Sequence, residues 1–316
     1  MLHAGERQVH ARLGVAEQVA IFAPKFIRTH LIDQHRAFYA QLPFLLLGTV
    51  DEAGRPWASL VSGAPGFLTT PDEFTLNIAA SPLTGDPLHG TLKAGADVGV
   101  LGLQLETRRR NRMTGRVQNV TSDQISITVH QSFGNCPKYI QTRAVTLDAG
   151  AHTPRPLAKA DKFSAAVQSI IARADTLFIA SAYAENKDDV AHGADVSHRG
   201  GKPGFVQLED DRTFVFPDFS GNNLFNTIGN LVLNPKAGFL FPDFGTGDLV
   251  YMTGTTEIIW DGAKVKAFKG AKRMLRFRAD EVLHVEASLP MRFAFGEYAP
   301  NLKATGDWSA SPSTIC

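Results

Sequence analysis

Cysteine is scarce in this sequence of 316 residues, which contains only Cys136 and Cys316. Two cysteines are too few for a disulfide framework or for a zinc or iron–sulfur site built from several thiolates. The ten histidines do not fall at the spacings typical of metal ligands. Although His192 and His198 lie near several aspartates in the sequence, acidic residues are common in loops, so we expect no metal site.

Long hydrophobic runs and an excess of charge of one sign are also missing. The longest apolar runs, residues 44–48 and 98–103, fall far short of the roughly 20 residues that cross a bilayer. The first residues contain no apolar stretch typical of a secretory signal. Lysine and arginine number 32 and aspartate and glutamate number 31, a formal net charge of +1, whereas nucleic-acid-binding proteins usually carry a basic excess. We therefore expect a cytoplasmic protein with neither a membrane nor a nucleic-acid partner.

The sequence is rich instead in turn formers and aromatic residues, with 28 glycines, 17 prolines and 21 phenylalanines. Residues 1–42 carry apolar residues at spacings of three and four, which is typical of helices, and Pro24 is expected to separate two of them. From Pro43 onward, short apolar or alternating segments are bounded by Gly, Pro, Asp or Asn, as in antiparallel barrels and sandwiches. A helix is predicted again over residues 161–173. These patterns predict a mainly β fold with flanking helices.

The two halves of the sequence resemble each other. SGAPGF at residues 62–67 matches GGKPGF at residues 200–205, and the MTG motif at residues 113–115 recurs at residues 252–254. Several matches in one order at nearly one offset indicate a tandem duplication, although two unrelated β domains that share turn chemistry would also give short matches. The proline-containing residues 145–160 are interpreted as a linker, which assigns residues 1–144 to a first domain and residues 161–316 to a second.

The residues with the clearest chemistry follow a predicted strand of the second half. Ser197, Arg199 and Lys202 surround a Gly-Gly and a Pro203-Gly turn, and glycine lets the backbone approach a ligand closely. Arginine and lysine supply charge-assisted hydrogen bonds to a phosphate, and serine adds a neutral donor. A second polar run precedes and enters a short helix whose other face is apolar: Ser220, Asn222, Asn223, Asn226, Thr227 and Asn230. The N-terminal amides of that helix would favour an anion, although serine and asparagine are also ordinary helix caps.

The arrangement resembles the pyridoxamine-phosphate-oxidase-like family of FMN-binding split barrels, over residues 43–117 and again over residues 176–260. Four motifs carry a closer likeness to the two-barrel members, some of which are joined to reductase and ferredoxin modules: SFGNCPKYIQTR, SHRGGKPGF, GNLVLNPKAG and LPMRFAFGEY followed by TGDW. No reductase or ferredoxin segment is visible in this sequence. The resemblance implies tandem split β-barrels that bind FMN.

The family also suggests which residues hold the cofactor. Its members use an Arg/Lys pair on one strand, and here Arg199 and Lys202 look like that pair. They also use a Ser-Arg-Lys cluster before a helix, where this sequence has Asn226 and Thr227. Because neither of these is basic, the resemblance implies that amides and hydroxyls carry more of the phosphate binding. The backbone of residues 216–219 would hydrogen-bond the edge of the flavin ring, which adds Phe216, Pro217 and Asp218 to the predicted site.

The repeat predicts an asymmetric protein with one FMN per chain. When the two halves are aligned by the offset between their PGF motifs, Val61 and Ala64 stand at the positions equivalent to Arg199 and Lys202. Only Ser197 has an identical counterpart in the first half, Ser59. We therefore expect the phosphate on the second barrel and the ring covered by the first. Split barrels of this family usually pair around the flavin, so the fused barrels would form that pair within one chain. A homodimer of the whole chain is a further possibility.

Several other residues have both a functional and a structural interpretation. Lys138 and Tyr139 would cross to the flavin or cap the first barrel. Cys136 is a candidate redox nucleophile without a clear resolving cysteine. The basic run ETRRRNR, residues 106–112, is typical of a solvated hairpin, but it would also guide an anionic substrate or redox partner. Arg292 and Trp308 would close over the ligand. Alternatively, Trp308 would anchor the C-terminal tail in an apolar groove.

These expectations combine into an FMN-dependent oxidoreductase of unknown substrate, in which electrons pass through flavin N5. The electron donor would be NAD(P)H or a separate reductase, and no catalytic acid or base can be named. The substrate-binding residues of true pyridoxamine-phosphate oxidases find no secure match, so that particular activity is not expected. The alternative is a non-catalytic protein that binds or stores flavin, haem or another cofactor on the same fold, because a fold does not fix a function.

Overall fold

The computed structural model describes residues 1–148, 155–186 and 188–308. A 3-10 helix spans Pro300–Ala304 near the end of the described chain. The α-helices are α1 (Ala4–Leu13), α2 (Ala16–Phe26), α3 (Asp33–Tyr39), α4 (Leu88–Thr91), α5 (Ala165–Arg173), α6 (Asn226–Leu233) and α7 (Ala263–Ala267).

The first half of the chain supplies seven strands that form one antiparallel sheet. They are β1 (Phe44–Val50), β2 (Pro56–Ser62), β3 (Leu68–Thr69), β4 (Thr75–Ile78), β5 (Asp97–Gln104), β6 (Arg109–Val120) and β7 (Ile125–Asn135). Their order across the sheet is β2-β1-β5-β6-β7-β4-β3. Two short strands follow them, β8 (Arg143–Leu147) and β9 (Ala158–Ala160).

The second half builds the same sheet again. Its strands are β10 (Thr176–Tyr183), β11 (Gly193–Gly200), β12 (Gln207–Leu208), β13 (Thr213–Asp218), β14 (Lys236–Pro242), β15 (Leu249–Ile259), β16 (Arg273–Val285) and β17 (Met291–Phe295). The order is β11-β10-β14-β15-β16-β13-β12, with β9 added beside β16, and β17 pairs with β8 in a separate ribbon.

The strand registers repeat as well as the strand order. Leu101 of β5 pairs with Arg112 of β6, and Leu240 of β14 pairs with Tyr251 of β15. The second pair is displaced from the first by the same offset that separates the two MTG motifs. A helix precedes the first strand of each half, and another helix connects the equivalent strands β4 to β5 and β13 to β14. The predicted mainly β fold of tandem split β-barrels is confirmed, and Tyr251 occupies the place that Arg112 has in the first half.

The two barrels approach each other most closely at glycines. A Cβ atom on Gly99 of β5 would lie 2.5 Å from Cα of Asp195, and one on Gly238 of β14 would lie 2.2 Å from the backbone oxygen of Pro56. These two glycines occupy equivalent positions in the two halves. A hydrophobic cluster with side chains from both barrels fills the neighbouring part of the interface. Only glycine allows the strand backbones to come this close. The equivalent glycines of the two barrels therefore make the same kind of close contact on each side of the interface.

The helical segment differs from the prediction at Pro24. This proline lies inside α2, close to the end of that helix at Phe26, and the break before α3 follows at residues 27–32. A proline there removes one helical N–H but leaves little helix beyond it. A further break, which was not predicted, falls at Gly14, whose left-handed backbone (φ +68°) ends α1 and whose N–H donates to the carbonyl of Ala11.

The predicted linker and tail contain more structure than the sequence indicated. Residues 145–160 include the end of β8 and all of β9, while residues 149–154 lie outside the described residues. The predicted tail includes the 3-10 helix and Trp308, and residues 309–316, with Cys316, again lie outside the described part. The boundaries of the two domains stay a prediction.

Candidate functional site

A cleft of about 810 Å³ opens between the two barrels. The end of β7 and the segment after it form one wall, and the ends of β11 and β13, with the start of α6, form the other. Four cationic side chains and a single carboxylate line it among the residues that the structure describes. The polar and aromatic lining residues are Arg110, Arg112, Asn135, Cys136, Lys138 and Tyr139 from the first barrel, and Ser197, His198, Arg199, Asp218, Phe219, Ser220, Asn222, Asn223, Phe225, Asn226 and Thr227 from the second.

Arg112 lies at the base of the cleft and joins the two barrels. Its side chain is 6% exposed, and its Nε lies 3.2 Å from Oδ1 of Asp195. The guanidinium also donates to Oδ1 of Asn226 at 2.8 Å, to the carbonyl of Val196 at 3.0 Å and to the hydroxyl of Ser197. Burial lowers the pKa of Arg112, although Asp195 opposes this effect. A cation from β6 is therefore held against β11 and α6 by a nearly dry hydrogen-bond network.

Two hydroxyls complete this base. The Oγ atoms of Ser197 and Thr227 lie 2.7 Å apart, and both are within 3.5 Å of Oδ2 of Asp195. Thr227 belongs to the first turn of α6, whose preceding residue Phe225 provides no side-chain cap. The first amides of α6 therefore face the cleft without a capping side chain, which is the usual arrangement at helix termini that bind anions.

A second group of charges lies on the β13 side of the cleft. Asp218 is shared by two arginines, with Arg199 Nε at 3.2 Å and Arg273 Nη1 at 3.5 Å. The guanidinium of Arg273 also lies 4.9 Å from the ring of Phe225. One carboxylate thus orients two cations. Neither contact has hydrogen-bond geometry, and Nε of Arg273 is also buried without a hydrogen bond in the described structure.

Arg110, Cys136 and His198 meet on the first-barrel side. Arg110 Nε donates to the carbonyl of Cys136 at 2.8 Å, and its Nη1 lies 3.5 Å from Nδ1 of His198. Burial, with the neighbouring cations Arg112 and Arg199, lowers the pKa of Arg110 to about 10. Burial, with Arg110 and Arg199, also lowers the pKa of His198 well below its usual range. His198 is therefore a neutral imidazole near pH 7, while Arg110 keeps its charge.

Backbone strain and aromatic rings mark the rim of the cleft. Among the described non-glycine residues with positive φ are Tyr139 (φ +66°), Asn223 (φ +64°) and Phe225 (φ +60°), which all line it. Such conformations are costly and often occur where a ligand is clamped. The ring of Tyr139 lies 4.9 Å from that of Phe219, tilted by 33°. An aromatic wall of this kind suits a flat conjugated ligand.

Helix α1 supports the cleft from behind. Glu6 accepts a hydrogen bond from Nδ2 of Asn226 at 2.6 Å, and His10 Nε2 lies 2.9 Å from the carbonyl of Asn223. The helices touch at Gly5 and Gly229, where a Cβ atom on Gly5 would lie 2.0 Å from the carbonyl oxygen of Gly229. The N-terminal helix therefore holds the loop and helix that form one wall, a role that no sequence pattern indicated.

Most of the predicted cofactor residues lie together in this cleft. They are Lys138, Tyr139, Ser197, Arg199, Pro217, Asp218, Ser220, Asn222, Asn223, Asn226 and Thr227. Their placement fits the prediction but does not test whether they bind a cofactor. Beyond Val215, the edge of β13 away from β16 has no strand partner among the described residues, which leaves the backbone near Pro217 available to a ligand.

The structure does not bring four predicted residues to the cleft. Lys202 reaches away and donates to the carbonyl of Thr305 at 3.0 Å. Pro203 is exposed in the turn after β11. The side chain of Phe216 alternates to the opposite face of β13 from its neighbour and is fully buried in the core of the second barrel. Asn230 lies one turn beyond the start of α6, where it donates to Ser181 Oγ at 3.1 Å.

The basic run of residues 106–112 is not a solvated hairpin throughout. Arg110 and Arg112 share one face of β6 and enter the cleft, whereas Arg109 on the other face is exposed. Alternation along a strand was the available signal, but the sequence alone does not say which face meets the other barrel.

Neither residue of the predicted closing pair lines the cleft. Arg292 bonds Asp148 at the surface, and Trp308 packs on Phe268 with ring centroids 4.9 Å apart.

The equivalent place on the other side of the pseudo-symmetric pair is closed. Ser59 and Tyr251 lie beside the buried carboxyl of Asp86, and the surrounding apolar side chains belong to the shared interface cluster. Burial raises the pKa of Asp86 to about 6. Where the open cleft has the cation Arg112, this place has Tyr251 beside a carboxyl group, so an anion is not favoured here.

Comparison with known families matches this two-part architecture. The pyridoxamine 5'-phosphate oxidase family profile matches the chain twice, over residues 31–147 and 163–296. These matches cover most of the chain, one on each barrel. The chain therefore belongs to the pyridoxamine 5'-phosphate oxidase family, as its motifs predicted. No curated protein matches it.

Solved structures with a related fold are distant. HupZ of Group A Streptococcus is 17% identical, with a TM-score of 0.30, over 42% of this chain and 98% of its own. A putative pyridoxamine 5'-phosphate oxidase of Lactobacillus delbrueckii is 13% identical, with a TM-score of 0.31, over 39% of this chain and 94% of its own. An FAD-binding protein of Mesorhizobium loti is 15% identical, with a TM-score of 0.29, over 42% of this chain and 99% of its own.

Two absences hold for the part of the chain that the structure describes. No three His, Cys, Asp or Glu side chains within that part of the chain come together as a metal ion would require. None of its helices is both long enough and apolar enough to cross a bilayer.

Proposed function

We propose that this chain binds one FMN in the cleft between its barrels and acts as a flavin-dependent oxidoreductase. The observation that carries the proposal is the pairing of buried cations and free helix amides with an aromatic rim, in a chain of this family. The phosphate would lie at the base, against Arg112, Ser197 and Thr227, where the first amides of α6 add partial positive charge. Arg199 would contact it from the β13 side.

The residues present fit such a group in a way that does not depend on the family. Two buried nitrogens that line the cleft, Nε2 of His198 and Nδ2 of Asn135, have no hydrogen-bond partner in the described structure. Unsatisfied buried donors are rare in proteins, and a phosphate or a ring carbonyl would satisfy them. The counterpart around Asp86 is closed and carries a buried carboxyl group where the cleft has Arg112, which supports one flavin per chain rather than two.

The division of work between the barrels differs from that expected from the sequence. The first barrel would supply the buried cation Arg112 for the phosphate as well as a cover for the ring. Tyr139 and Phe219 would pack against the ring, and Arg110 would add positive charge beside it. Bound flavin would supply the redox chemistry, accepting and donating electrons at N5. The protein would position it, exclude water and stabilise negative charge on the reduced ring.

Titration of the purified chain with FMN tests the proposal. We expect one FMN per chain, a yellow protein, and bleaching under nitrogen by NADPH, by NADH or by a separate reductase. Arg199→Ala should weaken FMN binding by about tenfold, because a charge-assisted hydrogen bond is lost. The matched control is Arg278→Ala, which removes an exposed arginine of β16 that lines no part of the cleft and should leave the affinity unchanged.

The other outcomes are equally clear. A chain that remains colourless and gains no flavin would contradict the proposal, and two flavins per chain would contradict its asymmetry. Flavin that binds but cannot be reduced by any of these donors would favour the alternative of a flavin-binding or storage protein.

A further inference from the structure

A second concave surface adjoins the cleft on the first barrel. We call it the arginine groove; it lies between α3, the turn before β6 and the end of β7. Its charged lining side chains are Arg28, Arg108, Arg109 and Arg110, and His35 also lines it. No aspartate or glutamate lines it within the described residues.

Most of this positive charge has no carboxylate partner. Arg108 is paired with Glu297, their atoms 2.9 Å apart. In the part of the chain that the structure describes, Arg28, Arg109 and Arg110 form no salt bridge. The guanidinium of Arg28 donates to the carbonyl of Phe26 at 3.2 Å, and Arg109 lies over the ring of Phe38 with its Cζ 5.1 Å from the centroid. Cations gathered without counter-charges repel one another, so the groove is electrostatically prepared for an anion.

Two buried polar atoms on the groove wall also lack partners. His35 is 5% exposed and its Nδ1 has no hydrogen bond in the described structure. The Nδ2 of Asn135 is likewise buried and unpaired. Burial, then Arg28 and Arg109, lowers the pKa of His35, so its imidazole is neutral near pH 7 and one ring nitrogen can donate. These atoms would gain partners from the oxygens of a ligand.

The groove and the cleft share a wall. Arg110 and Asn135 line both spaces, so a molecule anchored in the groove would lie beside one bound in the cleft. Bidentate arginine side chains match phosphate oxygens in geometry as well as in charge. Small molecules usually bind in concave spaces, so the groove suits a small ligand better than it suits a partner protein with a flat surface.

We infer that the arginine groove binds the phosphate groups of the small molecule that exchanges electrons with the flavin. This inference rests on the proposed function and adds the chemical class of the reaction partner. Two sources share this chemistry, the pyrophosphate of a nicotinamide dinucleotide and a phosphorylated substrate. Arg28 and Arg109 would bind the anion, and Arg110 would lie between it and the flavin.

Calorimetric titration of the FMN-saturated chain with inorganic pyrophosphate tests the inference at low salt. We expect one site, and a dissociation constant raised by at least about tenfold when both Arg28→Ala and Arg109→Ala are present. Arg109→Lys should retain part of the affinity, because the charge is kept while the planar fork is lost. Arg278→Ala is the control and should bind pyrophosphate like the wild type. Neither Arg28 nor Arg109 lines the cleft, so FMN affinity should stay unchanged in all these variants.

Competition then distinguishes the two sources. Displacement of pyrophosphate by NADPH assigns the groove to a dinucleotide, and tight pyrophosphate binding that NADPH does not displace assigns it to a phosphorylated substrate. Absence of pyrophosphate binding, or equal binding by the wild type and the double variant, would overturn the inference. If the wild type binds no FMN, the proposed function fails by itself. The same titration of the flavin-free chain then still tests the groove, because only the groove site depends on Arg28 and Arg109.

Discussion

Replacing Arg112 by methionine tests the central ion pair of the cleft. Methionine keeps much of the side-chain volume but removes the charge and every hydrogen bond that the guanidinium makes across the barrel interface. Asp195, which is 4% exposed, would then be a buried carboxylate without its cation. Its remaining contacts, Ser197 at 3.5 Å and Thr227 at 3.4 Å, are too long to compensate.

The magnitude follows from that isolation. Breaking a buried ion pair from one side costs about 3–5 kcal/mol, most of it the penalty of the unpaired charge. Adding Asp195→Asn to Arg112→Met removes that charge. The double variant should therefore recover more than half of the loss, which leaves a deficit of about 1–2 kcal/mol from hydrogen bonds not replaced. It should still bind FMN poorly, because the cation at the base of the cleft is missing.

Urea denaturation followed by fluorescence measures both free energies, and FMN titration of the double variant measures the separate loss of binding. Arg278→Met is the control for a surface arginine. A loss below about 1 kcal/mol for Arg112→Met would place the pair in the range of exposed salt bridges and refute the argument. A double variant less stable than the single one, or one that binds FMN normally, would refute it equally.

Three further experiments test the support of the cleft and the position of the flavin. Burial raises the pKa of Glu6 from 4.5 to about 8, so the folded chain holds this proton more tightly than the unfolded chain and its free energy of unfolding should fall as the pH rises between those values. Glu6→Gln should flatten this dependence in urea midpoints. Gly229→Ala should cost about 1–3 kcal/mol and weaken FMN binding, because its Cβ would lie 2.7 Å from the backbone nitrogen of Glu6. The control Gly90→Ala, with nothing within 4 Å of its Cβ, should leave the melting temperature unchanged or higher. In a Cys316→Ser background, bound FMN should slow the reaction of Cys136 with a thiol reagent; equal rates with and without FMN would place the flavin elsewhere.

The architecture could be predicted from the sequence because local residue patterns reveal the duplication. Turn glycines and alternating strands recur at a constant offset, and each repeat must form the same sheet to bury the same faces. The polar residues around Ser197 and Asn226 were also predictable, since a strand end and a helix start carry their ligand-binding groups close together in the sequence.

The remainder of the site depends on contacts between distant parts of the chain. Arg112 is on the strand after a solvated turn, and nothing in its neighbours shows that the opposite barrel covers it. Glu6 and Asn226 are separated by 220 residues. Lys202 was misplaced for the opposite reason: its turn fits a ligand-binding pattern, but the C-terminal segment supplies a nearer acceptor. Local patterns identify candidate donors, and tertiary packing decides which of them converge.

The reach of the cleft along the chain has a consequence for how the protein acquires its ligand. Its walls and supports extend from Glu6 in α1 to Arg273 in β16, and neither barrel alone holds the full set of cations. During synthesis the N-terminal barrel emerges first, but the site cannot form until β16 of the second barrel has also left the ribosome. Capture of the proposed flavin would therefore follow the synthesis of both barrels, and a ligand that stabilises only the completed fold would not assist the folding of the nascent first half.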